Sequence, residues 1–388
     1  MIKVGLDGGN NSTILSTKEY RGDNAIIIPT VRINYRDYEG NFSFKKNEKD
    51  LISLLDVEVS SFNDKTQKRT DYGRHLVGQL ALDTVGGTID TRNMAQKKLG
   101  DNDLFVCMLT NLAYFSVIYQ NKYEGFIESD FEIVVGLPYL QYIKEKDEYR
   151  DQFIGTHTVK FLGKFNIEVK VNILKCMVDC EGVGALISNM HKNGKFWKEP
   201  QEICDKFYMA LDVGEYTTEE ICVKFFYSEE IDEIDFDFYP PLCTGYKLGI
   251  ANAKQPVIDS IRHEHEGTDL DRYKFDKIIS HKIKPGILTT KKGEEIDIKP
   301  RYGSEIDNIV NRLGNDVVSS ATNQGIQGQF VEIVLFGGGP LVLEKKFGSK
   351  LRDILYEGLA CKNIVIAKNS STANSDGYYE RALVIFDN

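Results

Sequence analysis

The stretch that most constrains this chain is Phe207 to Val223, FYMALDVGEYTTEEICV. Tyr208 and Ala210 lead into Asp212 and Gly214, and Ile221 and Val223 resume the apolar pattern. Alternation with period two, broken by a Gly-containing turn, predicts strand, tight turn, strand. An acid at the end of a strand, followed at once by Gly and a Thr pair, suits a phosphate site. The turn exposes backbone N–H groups, the hydroxyls add donors, and the carboxylate can hold magnesium through its waters. Taken alone, the stretch fits a plain hairpin with a solvated Asp equally well. The arrangement has an echo at the start of the chain, Val4-Gly5-Leu6-Asp7-Gly8-Gly9-Asn10-Asn11. Two acid-ended, Gly-containing hairpins predict two similar half-domains closing on one triphosphate.

At 388 residues the chain is too long for one ordinary core, so two lobes are expected. The net charge of −10 argues against direct, non-specific binding to nucleic acid, which needs a basic surface. No apolar run is long enough to span a membrane, and the N-terminus lacks a signal-peptide pattern. The seven Cys are scattered, and Cys176 and Cys180 lack the second pair or His cluster of a zinc site. Core thiols in a reducing cytoplasm are the expected reading.

In chain order, Ile2 to Asp7, Thr13 to Thr17 and Ala25 to Ile28 read as strands, the last stopped by Pro29. Residues 34–98 turn polar and read as a small inserted subdomain. Asp101 or Asn102 can cap a helix to about Gln120, with Leu104, Met108, Leu112, Phe115 and Tyr119 on one face. Phe131 to Val135 is a buried-type strand before Gly136-Leu137-Pro138, and Tyr142 to Phe153 reads as helix. Thr158 to Leu174 reads as a strand pair around Gly163, and Met177 to Ala185 as strand running into helix around Glu181. Lys192 to Pro200 reads as the connection between lobes.

Ile234, Phe236 and Phe238 alternate with acids as a half-buried strand. Gly245 opens a helix to about Arg262, and residues 269–300 form a second charged insertion. Ser304 caps a long helix whose stripe is Ile306, Ile309, Val310, Leu313, Val317 and Ala321. Val331 to Phe336 is a strand before Gly337-Gly338-Gly339-Pro340, Ile364 to Ala367 another, and Asn374 to Ile385 a closing helix.

Glycines 337 to 339 after a buried strand let a flat or charged ligand approach the backbone. Neither GxGxxG nor GxxxxGK[ST] is present, which removes the Rossmann and Walker readings. Glu181, after a strand and before a helix, can orient an attacking water or act only as a first-turn acid on the helix dipole.

The order of these signals is that of the actin, sugar-kinase and chaperone ATPase superfamily. More narrowly, the chain resembles the ParM-like bacterial actins, the plasmid-segregation ATPases. Asp7-Gly8 matches their first phosphate loop, Gly136-Leu137-Pro138 with Tyr142 their LPxxxY turn, and Val178-Asp179-Cys180-Glu181 the site of their catalytic glutamate. Leu211 to Gly214 with Thr217-Thr218 matches the second phosphate loop, Gly337 to Gly339 the adenosine loop, and Asn374 to Tyr378, NSDGY, the closing helix. Two departures stand out. Glu215-Tyr216 replaces a small Gly pair, and Thr13 stands where several relatives carry a phosphate-reaching Lys.

The resemblance implies an α/β, two-lobed actin-like ATPase fold with ribonuclease-H-like lobes. Lobe I would be residues 1–199, with the C-terminal helix 374–388 packed back on it. Lobe II would be 200–373, with an insertion at about 251–303. It implies ATP or GTP with Mg2+ between the lobes, magnesium positioned by Asp7 and Asp212, and water oriented by Glu181. Gly8, Gly9, Asn10, Asn11, Gly214, Glu215, Thr217, Thr218, Gly245, Gly337, Gly338 and Gly339 would hold the nucleotide. It further implies a cytoplasmic, self-associating helical filament that moves plasmid DNA through a ParR-like DNA-binding adaptor, with no membrane contact. A small-molecule kinase of the same superfamily, a chaperone and a cell-shape actin homologue are the rival readings.

Overall fold

The structure, a computed structural model, describes all residues except 35–49, 85–96, 193–194, 197, 230–232, 347–349 and 388. It divides into two compact units, Met1–Trp197 with Thr372–Asn388, and Lys198–Ser371.

The first unit opens with β1 (Ile2–Gly8), β2 (Ser12–Ser16), β3 (Ile26–Pro29) and β4 (Arg32–Asn34). A long hairpin, β5 (Asp56–Asn63) and β6 (Lys68–Val77), leads to α1 (Gln79–Thr84) and α2 (Asn102–Gln120). Then come β7 (Gly125–Leu137), α3 (Tyr139–Phe153), β8 (Gly155–Phe161), β9 (Ile167–Cys180) and α4 (Val183–Met190). A small hairpin, β10 (His191–Lys192) with β11 (Lys195–Phe196), closes this run. Nine strands make one sheet in the order β3-β2-β1-β7-β9-β8-β5-β6-β4, in which β1, β7 and β9 are parallel neighbours.

Within 34–98, the described strands β4, β5 and β6 belong to the main sheet. The hairpin β5–β6 pairs through β5 with β8 and continues the main sheet. The parts of that segment at 35–49 and 85–96 lie outside the described residues.

Helix α2 starts where its cap predicts. The Asp101 carboxylate accepts from the N–H groups of Asp103 and Leu104, both at 3.0 Å. The one-sided stripe does not hold. Leu104 to Leu109 are buried without a break, whereas Tyr119 is 55% exposed. A helix enclosed on most sides has no polar face to mark its period. Its polar residues are satisfied inside: Thr110 donates to Val106 O at 2.7 Å and Ser116 to Leu112 O at 3.0 Å.

The closing helix α10 (Ala373–Asp387) belongs to this unit, and the NSDGY stretch fastens it there. Asn374 Oδ1 accepts from Gly182 N–H at 3.1 Å, and Asp376 Oδ1 accepts from Ser16 Oγ at 2.7 Å and Gly22 N–H at 3.1 Å. Tyr378 is fully buried over Gly136 and Gly184. At Gly377 a side chain would land on the Gly184 carbonyl, so the two backbones touch. Gly377→Val should therefore destabilise the protein by about 3 kcal/mol, because backbone cannot yield as a side chain does. Urea unfolding checks this, and an unchanged midpoint would refute the close approach.

The second unit contains α5 (Pro200–Ile203), β12 (Phe207–Val213), β13 (Thr218–Ser228), β14 (Glu233–Phe238) and β15 (Thr244–Tyr246). It continues with α6 (Ile250–Glu264), α7 (Arg272–Ile279), β16 (Ile287–Thr289), β17 (Glu295–Asp297) and α8 (Lys299–Asn323). It ends with β18 (Phe330–Phe336), α9 (Leu351–Leu359) and β19 (Ile364–Ile366). The sheet order is β14-β13-β12-β18-β19, with β12, β18 and β19 parallel. This repeats, strand for strand and sense for sense, the run β3-β2-β1-β7-β9 of the first unit.

Two boundaries differ from the sequence reading. Gly245 does not open a helix but lies in β15, paired with β13, and α6 begins only at Ile250. Ser304 is inside α8, which starts at Lys299 with Pro300 in its first turn. Ile298 and Tyr302 are core residues, so burial recruits the preceding turn, and Pro is tolerated there. The predicted stripe of α8 is buried throughout. In residues 269–300, Leu270, Phe275, Ile279 and Leu288 join the core of α6 and α8.

Candidate nucleotide site

Both hairpins are built alike. Gly9 N–H donates to Ser12 O at 3.0 Å, and Gly214 N–H donates to Thr217 O at 2.9 Å. Asp7 stands two residues before the first of these glycines and Asp212 two before the second, on β1 and β12, which hold the same place in their sheets. In both turns the residue after that acceptor, Thr13 or Thr218, is buried. Thr218 Oγ1 donates to Leu248 O at 2.7 Å, and Thr13 Oγ1 accepts from Asn111 Nδ2 at 3.2 Å. The Thr218 hydroxyl thus points into the core, and the donors left on its turn are backbone N–H groups and Thr217.

In the first unit the carboxyl ends of three adjacent parallel strands meet. β1 ends on Asp7-Gly8, β7 on Gly136-Leu137, and β9 on Cys180 just before Glu181. Ligands of open α/β sheets bind at such ends. Glu181 N–H donates to Leu137 O at 2.9 Å, and Gly182 follows with φ of 92°, a left-handed turn that favours Gly. This turn separates Glu181 from α4, so it is not a first-turn helix acid. Its side chain pairs with Lys98, and both side chains are buried. Burial pushes the Asp7 carboxyl up to about 6; the Lys98 charge opposes this and the Glu181 charge adds to it. Asp7, Lys98 and Glu181 therefore form one electrostatic cluster. Of the loop residues, Gly8 packs on Leu104 and Met108, while Gly9 and Asn10 are partly and Asn11 largely exposed.

Lys98 went unseen in the sequence because no spacing links it to Glu181, 83 positions away. Its backbone is held by α3. Gln141 Oε1 accepts from Lys98 N–H at 3.0 Å, and the first turn of α3 follows the Gly136-Leu137-Pro138 bend.

In the second unit, Asp212 lies beside the turn after β18. Gly337 has φ of 86°, and a side chain there would strike the Asp212 carboxylate. Gly339 packs on Val213, and Gly338 faces open space. The departures at 215 and 216 have a structural account. Glu215 pairs with the buried Lys254 Nζ at 2.8 Å, which also reaches Asp276 at 2.9 Å. Tyr216 is buried with the Arg272 guanidinium 5.2 Å from its ring centre, so it does not fill the turn. The turn is joined to α6: Ala251 N–H donates to Glu215 O at 2.7 Å and Ile250 N–H to Gly214 O at 3.2 Å. Gly245 is exposed beside the Glu219 carboxylate.

Lys254→Met should cost about 3 kcal/mol in urea unfolding, since it strands a buried carboxylate. Lys254→Met with Glu215→Leu should recover most of that loss. A single variant as stable as the parent would show that the cluster does not hold this turn.

Among the described residues no three His, Cys, Asp or Glu side chains gather as a metal cluster. A magnesium ion that keeps its waters and takes its remaining ligands from phosphates needs only one or two carboxylates. Asp7 fits that demand, because a divalent cation would offset the burial that raises its pKa. No helix among the described residues is long and apolar enough to cross a membrane. None of the seven cysteines is in a disulfide.

Comparison with known proteins agrees with this architecture. Residues 5–184 match the N-terminal domain of actin-like proteins. No curated protein matches the sequence. Bacillus thuringiensis ParM with ATP superposes with a TM-score of 0.66 at 20% identity, over 100% of each chain. A 15-stranded ParM filament from Clostridium botulinum gives 0.65 at 17% identity, over 98% of each chain. An archaeal actin homologue gives 0.64 at 17% identity, over 98% of this chain and 99% of its own. Residues 5–184 thus match the N-terminal domain of actin-like proteins, and the chain has the two-lobed actin-like fold of the ParM structures.

Proposed function

We propose that this chain is a nucleotide-dependent, filament-forming ATPase of the cytoplasm that segregates plasmid DNA through a ParR-like, DNA-bound adaptor. The observation that carries the reading is the cluster of Asp7 and Glu181 at the carboxyl ends of β1 and β9, within an actin-like fold. The repeat of the Asp7 hairpin at Asp212 supports it. In the first unit Asp7 would orient a hydrated metal and the backbone N–H groups of Gly8 to Asn11 would bind phosphate; in the second, Asp212 and the N–H groups of Gly214 to Thr217 offer the same kinds of group. Glu181 accepts a hydrogen bond from the attacking water and aligns it. Magnesium, when bound, would supply positive charge toward the phosphates. The glycines 337 to 339 take the adenosine face. The net charge of −10 suits a chain that leaves DNA contact to an adaptor.

The test is pelleting and light scattering across protein concentration with ATP, GTP, diphosphate and no nucleotide, alongside phosphate release. The expected result is nucleotide-dependent assembly with phosphate release that needs no added acceptor. A chain that stays monomeric with every nucleotide, yet phosphorylates a small acceptor, would be the superfamily kinase instead.

A further inference from the structure

Beyond the residues assigned above, we propose that Lys98 is the positioning residue of Glu181, holding one carboxylate oxygen so that the other faces the attacking water. This rests on the ATPase reading of the site. The side chains of Lys98 and Glu181 are 7% and 11% exposed, and Lys98 Nζ donates to Glu181 Oε1. Burying an ammonium and a carboxylate together seldom gains stability over an apolar pair, so the pair calls for another use.

The surroundings fix both ends. Lys98 N–H is bonded to Gln141 Oε1 at 3.0 Å, and Lys98 O accepts from Asp101 N–H at 3.2 Å, just before α2. The adjacent Lys97 pairs with Glu145, and Gly100 N–H reaches Gln152 Oε1 at 3.3 Å. The approach to α2 is thereby clipped along α3, and the ammonium is presented from a rigid backbone. Glu181 is held at its own N–H by Leu137 O at 2.9 Å. A carboxylate fixed at its backbone and at Oε1 has little rotational freedom left at Oε2. The charged groups facing this pair include Asp7, which senses both.

Three variants test the assignment, by steady-state phosphate release and by calorimetric binding of a non-hydrolysable magnesium–ATP analogue. Lys98→Met should lower kcat on the order of 10²-fold, the scale of a misplaced reacting group, while analogue affinity stays within about 3-fold. Lys98→Arg should restore much of kcat. Gln141→Leu keeps both charges and disturbs only the anchor, and should lower kcat less than Lys98→Met. It also serves if Lys98→Met fails to fold. Parent-like kcat in Lys98→Met, or in Gln141→Leu where Lys98→Met does not fold, would overturn the proposal. So would a loss of affinity as large as the loss of kcat, which would make Lys98 a nucleotide ligand. A parent protein that binds no nucleotide and releases no phosphate would overturn the ATPase reading itself, and this outcome is distinct from an active parent with an indifferent Lys98.

Discussion

Glu181→Gln lowers phosphate release by about 10²- to 10⁴-fold and leaves nucleotide binding and assembly intact; this is the largest effect expected of any substitution at the site. The reason is chemical. Gln cannot take a proton from water or align it as a carboxylate does, yet its amide oxygen can still accept from Lys98 Nζ. Glu181→Ala is the poorer choice, because it would strand the buried ammonium of Lys98. If hydrolysis is what loosens filaments, those of Glu181→Gln should persist after the parent's have disassembled. Single-turnover phosphate release and light scattering on one preparation measure both. Parent-like turnover in this variant would mean that another group handles the water.

The second large effect is at Asp7, where stability and binding should move in opposite directions. Burial pushes this carboxyl up to about 6. An acid whose pKa is higher folded than unfolded adds stability that is complete below its unfolded value, near 3.8, and is lost as pH rises through 6. Above pH 6 the nucleotide-free protein therefore carries a poorly solvated charge that destabilises it. Asp7→Asn should raise unfolding stability at pH 7.5 by about 1–3 kcal/mol and change it little at pH 4. The same substitution should cut magnesium-dependent nucleotide affinity, as should Asp212→Asn, because in the proposed function each removes a negative charge offered to a metal. Thermal unfolding across pH, with calorimetry in magnesium and in chelator, gives both readings. Equal affinity of Asp7→Asn and parent in magnesium would remove Asp7 from the metal site.

The sequence carried the parts of this protein that are local. The acid-ended hairpins, the Asp101 cap, the glycine run after β18 and the stripe of α8 all follow from period, turn chemistry and capping, which act within a few residues. The closing helix was legible too, since NSDGY packs small and hydrogen-bonding groups against one surface. What stayed hidden needed contacts between distant segments. That the hairpin 56–77 continues the main sheet stayed hidden, because nothing in its own residues specifies the partner strand, β8. α2 looked one-sided because a sequence window cannot count how many layers enclose a helix. α8 began before its apparent cap because Ile298 and Tyr302 are buried by the rest of the second unit. Lys98 is the clearest case. Read along the chain it is a polar residue at the edge of a charged stretch, and only the fold brings its ammonium to Glu181, 83 residues on. Turns and caps are fixed by short-range sterics and hydrogen bonds, whereas ion pairs between remote segments are fixed by how the sheet is ordered, and that order is a property of the whole chain.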